Sequence, residues 1–254
     1  MVSHSILDYI ESTIEEKVAK AATINHYRQP IIGFASVENP RFDQLHEVVH
    51  PSHKLPEDLL PSARSVVSFF LPFEKSIVNA NARDKDKIAR EWIVTYFETN
   101  ALIERITGQL IEGLSERGVR ASAEPPTGNF DRDTLVSPWS HKSVAVIAGL
   151  GSFGLHQLVI TDSGCAGRFG SFVVDIDLPI DKNVRKERCL YYVDGSCMEC
   201  VLRCPAHALD TEEGLHKQLC WEKCQNTAGQ FGELGNATVC GKCAVGICAM
   251  ESSV

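Results

Sequence analysis

The chain has no long hydrophobic run. Its longest fully apolar stretch, near residues 144–150, is far too short to cross a bilayer, so no membrane-spanning helix is predicted. The first eleven residues, Met-Val-Ser-His-Ser-Ile-Leu-Asp-Tyr-Ile-Glu, lack both a basic n-region and an apolar h-region, which excludes a signal-peptide reading. Positive charge is also in short supply: 25 Lys and Arg stand against 33 Asp and Glu, for a net charge of −8. Nucleic-acid affinity rests mainly on neutralising backbone phosphates, so this balance argues against nucleic acid as a partner. A local basic stretch, Lys182-Asn-Val-Arg185-Lys186-Glu-Arg188, reads as a solvated linker leading into the thiol-rich region. Whether so acidic a surface repels or orients a protein redox partner stays open. What remains is a globular composition, 44% hydrophobic and 23% charged, over 254 residues, more than one average domain.

Cysteine, by contrast, is plentiful and clustered. Nine of the ten cysteines fall in the sixty residues from Cys189 to Cys248. The first group is Cys189, then Cys197-Met-Glu-Cys200-Val-Leu-Arg-Cys204-Pro205; the second is Cys220, Cys224, Cys240-Gly-Lys-Cys243 and Cys248. Cys-x2-Cys-x3-Cys-Pro closes the bacterial ferredoxin run, in which the cysteine before proline ligates the other cluster. Two [4Fe–4S] clusters need about eight thiolates, and nine are on hand in this stretch. Structural zinc suits cysteine pairs two apart, but Cys200-x3-Cys204-Pro205 is not a zinc-ribbon spacing. Disulfides would require an oxidising compartment; with no export signal, the thiols predict a reducing cytoplasm and ligand or redox roles.

Apolar periodicity predicts an amphipathic helix over residues 4–22, a buried strand over 30–37 and a loop with one helical turn over 38–61. His46, His50 and His53 lie in that loop; Pro51 interrupts the helix that would align them, so they read as surface or satisfied histidines rather than metal ligands. A strand buried on both faces follows at 65–71, then a long helix at 84–117 stopped by Gly118, and a short strand at 119–123. Further strands are expected at 157–161 and 169–178. Helices alternate with strands up to about residue 180, after which short cysteine-bearing segments take over. The boundary is placed in 179–188, giving an α/β domain over 1–182 and a cluster domain over 183–254.

Gly149-Leu-Gly151-Ser-Phe-Gly154 matches a dinucleotide fingerprint as a pattern only. The loop would have to open a helix facing the pyrophosphate, whereas residues 155–161 are β-rich and residues 162–167 break a helix. The glycines instead let the backbone approach a bulky ligand, or make a turn. With Ala148 in front, the same loop resembles the A-G-L-G-x-x-G loop of epoxyqueuosine reductases and reductive-dehalogenase-like proteins. Leu60-Pro61-Ser-Ala-Arg64-Ser65-Val66-Val67 and the order of the cysteines are similar too, so that the likeness runs from about residue 60 to the C-terminus.

The resemblance implies an α+β fold: a nitroreductase-like α/β domain, without flavin and holding cobalamin, followed by a ferredoxin-like domain with two [4Fe–4S] clusters. By motif position one cluster takes Cys220, Cys240, Cys243 and the crossing Cys204, the other Cys197, Cys200, the crossing Cys248 and one more ligand. The family's first ligand falls on Asp194 here, so the place is assigned to Cys189, with Cys224 and Asp194 as alternatives. The second group ends Cys248-Ala with four intervening residues, the helical-repeat extension used for tRNA is missing, and the loop runs on as Gly154-Leu155-His156 in place of Gly-Lys-Asn. The implied proton donor is Asp133, with Asp131 as the alternative, although a carboxylic acid can donate at neutral pH only if burial raises its pKa. Turn-forming roles for both aspartates are the competing reading. Gly149, Gly151, Gly154 and His156 are the candidate cofactor contacts, His156 being alternatively a core or surface histidine.

The expected function is an iron–sulfur oxidoreductase passing low-potential electrons through its clusters to a corrinoid or small-molecule substrate. A ferredoxin- or flavodoxin-type protein would be the electron donor. A non-catalytic carrier or corrinoid-activating partner is the alternative, and a zinc-stapled binding module the third class.

Overall fold

A computed structural model describes residues 2–21, 23, 26–180, 186–234, 237–252 and 254. The elements run α1 (Val2–Ala19), β1 (Ile31–Ser36), α2 (Leu45–Val48), α3 (Pro56–Leu59), β2 (Ser65–Pro72), α4 (Lys75–Ala82), α5 (Arg90–Glu116), β3 (Ala121–Ser122), α6 (His141–Ile147), β4 (Gly151–Phe153), β5 (Val159–Thr161) and β6 (Gly167–Val174). Three short helices follow in the thiol-rich region: α7 (Leu190–Asp194), α8 (Glu199–Arg203) and α9 (Lys217–Gln230).

β2 is buried along its whole length, as its continuous apolar run requires of a central strand. It pairs antiparallel with β1 and with β6, and β3 adds to the far side of β6, for the order β1-β2-β6-β3. Side chains alternate across the sheet. Val67, Phe69 and Leu71 join Ile10, Ile14, Ile103, Ile106 and Leu110 of α1 and α5 on one face. Val66 and Val173 join Phe42, Trp139 and Val144 on the other. The result is a mixed α/β layer structure with antiparallel sheets. Among the described residues, no helix is long and apolar enough to cross a membrane.

Several expected boundaries shift for local reasons. The long helix starts at Arg90, not near 84, because the Asp84 carboxylate accepts the backbone N–H groups of Asp86 and Lys87 at 2.8 and 2.9 Å. Such side-chain bonds offer the backbone an alternative to helix. The loop at 38–61 carries two helical turns rather than one; in the second, Pro56 leads the helix and Asp58 accepts the Leu55 N–H at 2.7 Å. The expected strand at 157–161 begins at Val159, since Gln157 has φ +60 and turns the chain. β3 spans only two residues of the five expected.

The thiol-bearing region packs onto the sheet domain through a shared core. Phe73, Ile77 and Trp92 pack with Cys189, Ala244, Val245 and Ala249. The basic stretch at 182–185 and the boundary between residues 182 and 183 lie outside the described residues.

Candidate metal centre

All ten cysteines are free thiols. Short elements bring them together. Cys189 caps α7 and donates its N–H to Glu187 at 2.9 Å; Cys200 lies in the first turn of α8 and Cys204 at its C-cap, where proline follows. Cys220 and Cys224 are four apart on α9, hence on one face. Gly241, at φ +70, turns the chain between Cys240 and Cys243 against the Trp92 indole, where a Cβ would fall 2.3 Å from the ring.

Cys189, Cys197, Cys200, Cys243 and Cys248 line one small cavity with Leu155, His156, Ile160 and Arg188. Burial pushes the Cys200 thiol up to about 12, and the like charges of Cys248, Cys189 and Cys197 add to the rise. Burial also raises Cys243, whose charged neighbours are Cys240, Cys220, Cys200 and Cys204. Cys189, Cys197 and Cys248 thus neighbour Cys200, while Cys204, Cys220 and Cys240 neighbour Cys243, with Cys224 beside them and Cys200 bordering both groups. Among the described residues, the close-set trio of possible ligand atoms is His156, Cys165 and Cys248. Of the three alternatives for the eighth ligand, Cys189 lines the cavity. Cys224 instead hydrogen-bonds to Cys220 and neighbours Cys240 and Cys243, and Asp194 is exposed, accepting the Ser196 N–H at 2.9 Å.

This donor set fits a soft metal group. Buried neighbouring thiols resist ionising together, and a cation that replaces their protons removes that repulsion. The Cys204 sulfur accepts the Ala208 N–H at 3.3 Å, and Arg188, one of the cavity's lining residues, has its Nε buried without a hydrogen-bond partner.

A hairpin of β4 and β5 brings the glycine loop to this cavity. At its turn, Gly154 and Leu158 pair at 2.9 Å, and His156 is buried with Nε2 3.4 Å from the Cys248 sulfur. The tenth cysteine, Cys165, is also buried, its sulfur 3.8 Å from the same sulfur. Its hydrogen bonding, and secondarily that of His156, brings Cys248 down to about 5. Cys165 and Ala166 donate their N–H groups to the carbonyls of Cys248 and Ala249 at 2.9 and 3.0 Å, so backbone pairing holds the C-terminal segment here.

No protein-family model matches the chain, and no curated protein matches its sequence. Solved structures do match. Epoxyqueuosine reductase from Bacillus subtilis, with its catalytic loop swung out of the active site, superposes with a TM-score of 0.61 at 18% identity over 98% of this chain and 67% of that one. The complex of epoxyqueuosine reductase with a modified tRNA stem loop gives 0.61 at 19% identity, over 96% and 66%. A catabolic reductive dehalogenase in complex with 3-bromo-4-hydroxybenzoic acid gives 0.58 at 12% identity, over 88% and 30%. The fold is that of the epoxyqueuosine reductases. The chain spans about two thirds of the length of those reductases and under a third of the dehalogenase.

Within this reductase fold the loop Gly149–Gly154 follows a helix, α6, and enters a strand, the reverse of a dinucleotide site. Gly149 has φ +82, and a Cβ on Gly151 would lie 2.1 Å from the Ile160 carbonyl, so protein backbone accounts for both glycines. Asp131 and Asp133 are both exposed. Asp131 accepts the N–H groups of Asp133 and Thr134 at 3.0 and 2.7 Å, a turn that holds its carboxyl below the usual range. The histidines of the 38–61 loop are satisfied: His53 Nε2 accepts the Ser140 N–H at 2.9 Å, and His46 Nε2 donates to the His53 carbonyl at 2.8 Å.

Sequence reasoning missed Cys165, whose only hint was its setting among small residues, Ser163-Gly-Cys-Ala-Gly167. A Cβ on Gly164 would fall 2.3 Å from the Ala249 carbonyl, the close approach those glycines permit. Lys142 was missed as well. It is desolvated, donates to the Gln157 carbonyl at 2.8 Å, and feels the charges of Cys243 and Cys220.

Proposed function

We propose that the chain is an iron–sulfur oxidoreductase, in which two [4Fe–4S] clusters carry low-potential electrons to an acceptor held by the sheet domain. The observation that supports this is the gathering of nine free thiols in the tail, with Cys189, Cys197, Cys200, Cys243 and Cys248 lining one cavity and Cys204, Cys220, Cys224 and Cys240 neighbouring Cys243. Cys189, Cys197, Cys200 and Cys248 would hold one cluster, and Cys204, Cys220, Cys240 and Cys243 the other. On this reading residues 1–182 are the nitroreductase-like part and 183–254 the ferredoxin-like part. Adjacent clusters suit one-electron transfer, and the protein supplies burial and hydrogen bonds that tune them.

The electron donor would be a small ferredoxin- or flavodoxin-type protein. Tyr192, Val193, Met198, Leu202 and Ile247 are exposed along the thiol-bearing stretch, a surface consistent with such docking. A corrinoid, when bound, would supply a reducible cobalt as the acceptor. The protein's part is to hold it near the clusters and exclude water. A proton donor at Asp133 or Asp131 would need a ligand to bury it. The acidic balance argues against nucleic acid, but one structure of the same fold holds a tRNA stem loop, so that stem loop belongs among the ligands tested.

Anaerobically purified protein should be brown, with a broad band near ~400 nm and about eight irons per chain. A colourless protein carrying zinc overturns the proposal. Titration with cobalamin then separates a corrinoid-linked reductase from a carrier: a base-off spectral change supports the former.

A further inference from the structure

We propose that His156 and Cys165 donate hydrogen bonds to the Cys248 sulfur and thereby raise the reduction potential of the cluster that Cys248 holds. The inference rests on the iron–sulfur reading above and assigns a task to two residues outside the eight-thiol set. Where the resembling family's loop continues Gly-Lys-Asn, this chain has Gly154-Leu155-His156, so the device belongs to this sequence.

The tautomer of His156 is set by the hairpin. Its Nδ1 accepts the Leu158 N–H at 3.1 Å, so the ring proton of a neutral imidazole resides on Nε2. Nε2 is the atom 3.4 Å from the Cys248 sulfur, and a nitrogen that carries a proton donates rather than ligates. The ring has little freedom to turn away. His156 is buried at 4% exposure, and a Cβ on Gly154 would lie 2.8 Å from its edge. Cys165 approaches the same sulfur at 3.8 Å, with the Ala244 carbonyl at 3.9 Å as its other acceptor. A thiolate bound to iron is the stronger acceptor of the two, because charge-assisted bonds outweigh neutral ones. His Nε2 and the two sulfurs all lie within 4.8 Å of one another.

Reduction adds one electron to the cluster, and part of that charge falls on its sulfurs. A donor aimed at a ligand sulfur stabilises the reduced form more than the oxidised form, which raises the potential. Cys248 would then have two protein donors.

The test is an anaerobic dithionite titration followed by electron paramagnetic resonance, with iron counted in every sample. His156→Leu should keep its iron while the reduction equilibrium of one cluster falls about tenfold, about 59 mV for one electron. His156→Gln, which restores an N–H at the same reach, should recover most of the shift. Cys165→Ala should shift the same cluster in the same direction, and Cys165→Ser less. Unchanged potentials in His156→Leu with iron intact overturn the inference. So does loss of a cluster from both His156 variants, which would make the ring a ligand or a structural support. A wild type without clusters overturns the iron–sulfur reading first, and is told apart by its iron content alone.

Discussion

At the scale of single residues, the chain carries one more thiol in its tail than the two proposed clusters would need, and position offers a way to choose between Cys189 and Cys224. Cys189 lines the cavity with Cys197, Cys200 and Cys248, while Cys224 is four residues from Cys220 on α9 and shares a hydrogen bond with it that brings Cys220 down to about 7. Cys189→Ser should lose about half of the iron, about four of eight atoms, whereas Cys224→Ser should keep nearly all of it. Equal iron in both variants would defeat the assignment. The spacings of Cys197, Cys200, Cys204, Cys240 and Cys243 were legible because thiols a few residues apart leave a local imprint in sequence. Cys165 was not, because its contact with Cys248 spans 83 residues and exists only once the sheet and the tail have folded together. Asp131 and Asp133 are the opposite case: a position near a family motif suggests a role, while burial, which sets a carboxyl's proton affinity, is not written in local sequence.

At the scale of elements, apolar periodicity located the central strand and the long helix, and missed the ends where side chains compete for backbone groups, as Asp84 does ahead of α5. The start of α6 shows a second kind of information that periodicity lacks. Trp139 Nε1 donates to the Ser171 hydroxyl at 2.9 Å, which meets His141 Nδ1 at 2.7 Å, while His141 Nε2 donates to the Pro125 carbonyl at 3.1 Å. This chain joins α6 to β6 with a neutral imidazole, and burial brings the His141 pKa down to about 4 from 6.5. The sign follows from proton counting. Between those two values the unfolded chain binds more protons than the folded one, so the contribution is complete above about pH 6.5 and is lost as pH falls toward about 4. At about 1.4 kcal/mol per unit, the loss is bounded at about 3 kcal/mol. Urea titrations of wild type and His141→Asn between pH 7 and 4.5 should show the steeper decline in wild type; parallel declines would remove His141 as the cause. The glycine hairpin is equally exacting: Gly151→Ala, which drives a Cβ into the Ile160 carbonyl, should destabilise the protein by about 1–3 kcal/mol and displace His156 from Cys248.

At the scale of the whole molecule, the tail that reads in sequence as an appended cysteine module is stitched into the sheet domain by buried polar contacts. Arg28 donates to the carbonyls of Phe73, Ser163 and Met250 at 3.0, 2.6 and 2.7 Å. Lys242, set between Cys240 and Cys243, is 2% exposed and directs its Nζ at the carbonyls of Asn81, Asp84 and Lys87 and at the Asn81 side-chain oxygen, at 2.6 to 3.0 Å. Asn81 returns a bond from Nδ2 to the Cys240 carbonyl at 3.0 Å and accepts the Ala89 N–H at 3.1 Å. One lysine thus closes the turn that precedes α5 and anchors the loop that carries two thiols. A charge this deep is tolerated only because its donors are met, and removing it leaves several buried acceptors unsatisfied at about 1–3 kcal/mol each. Lys242→Met should therefore cost at least about 3 kcal/mol, with the stretch around Cys240 and Cys243 opening to protease and amide exchange before the sheet does. Asn81→Ala should weaken the same docking, and the pair should be strongly non-additive, since each leaves the other without its partner. Additive losses, or protection lost evenly across the chain, would mean that the two residues support their own neighbourhoods and do not join the thiol loop to the domain that would receive its electrons.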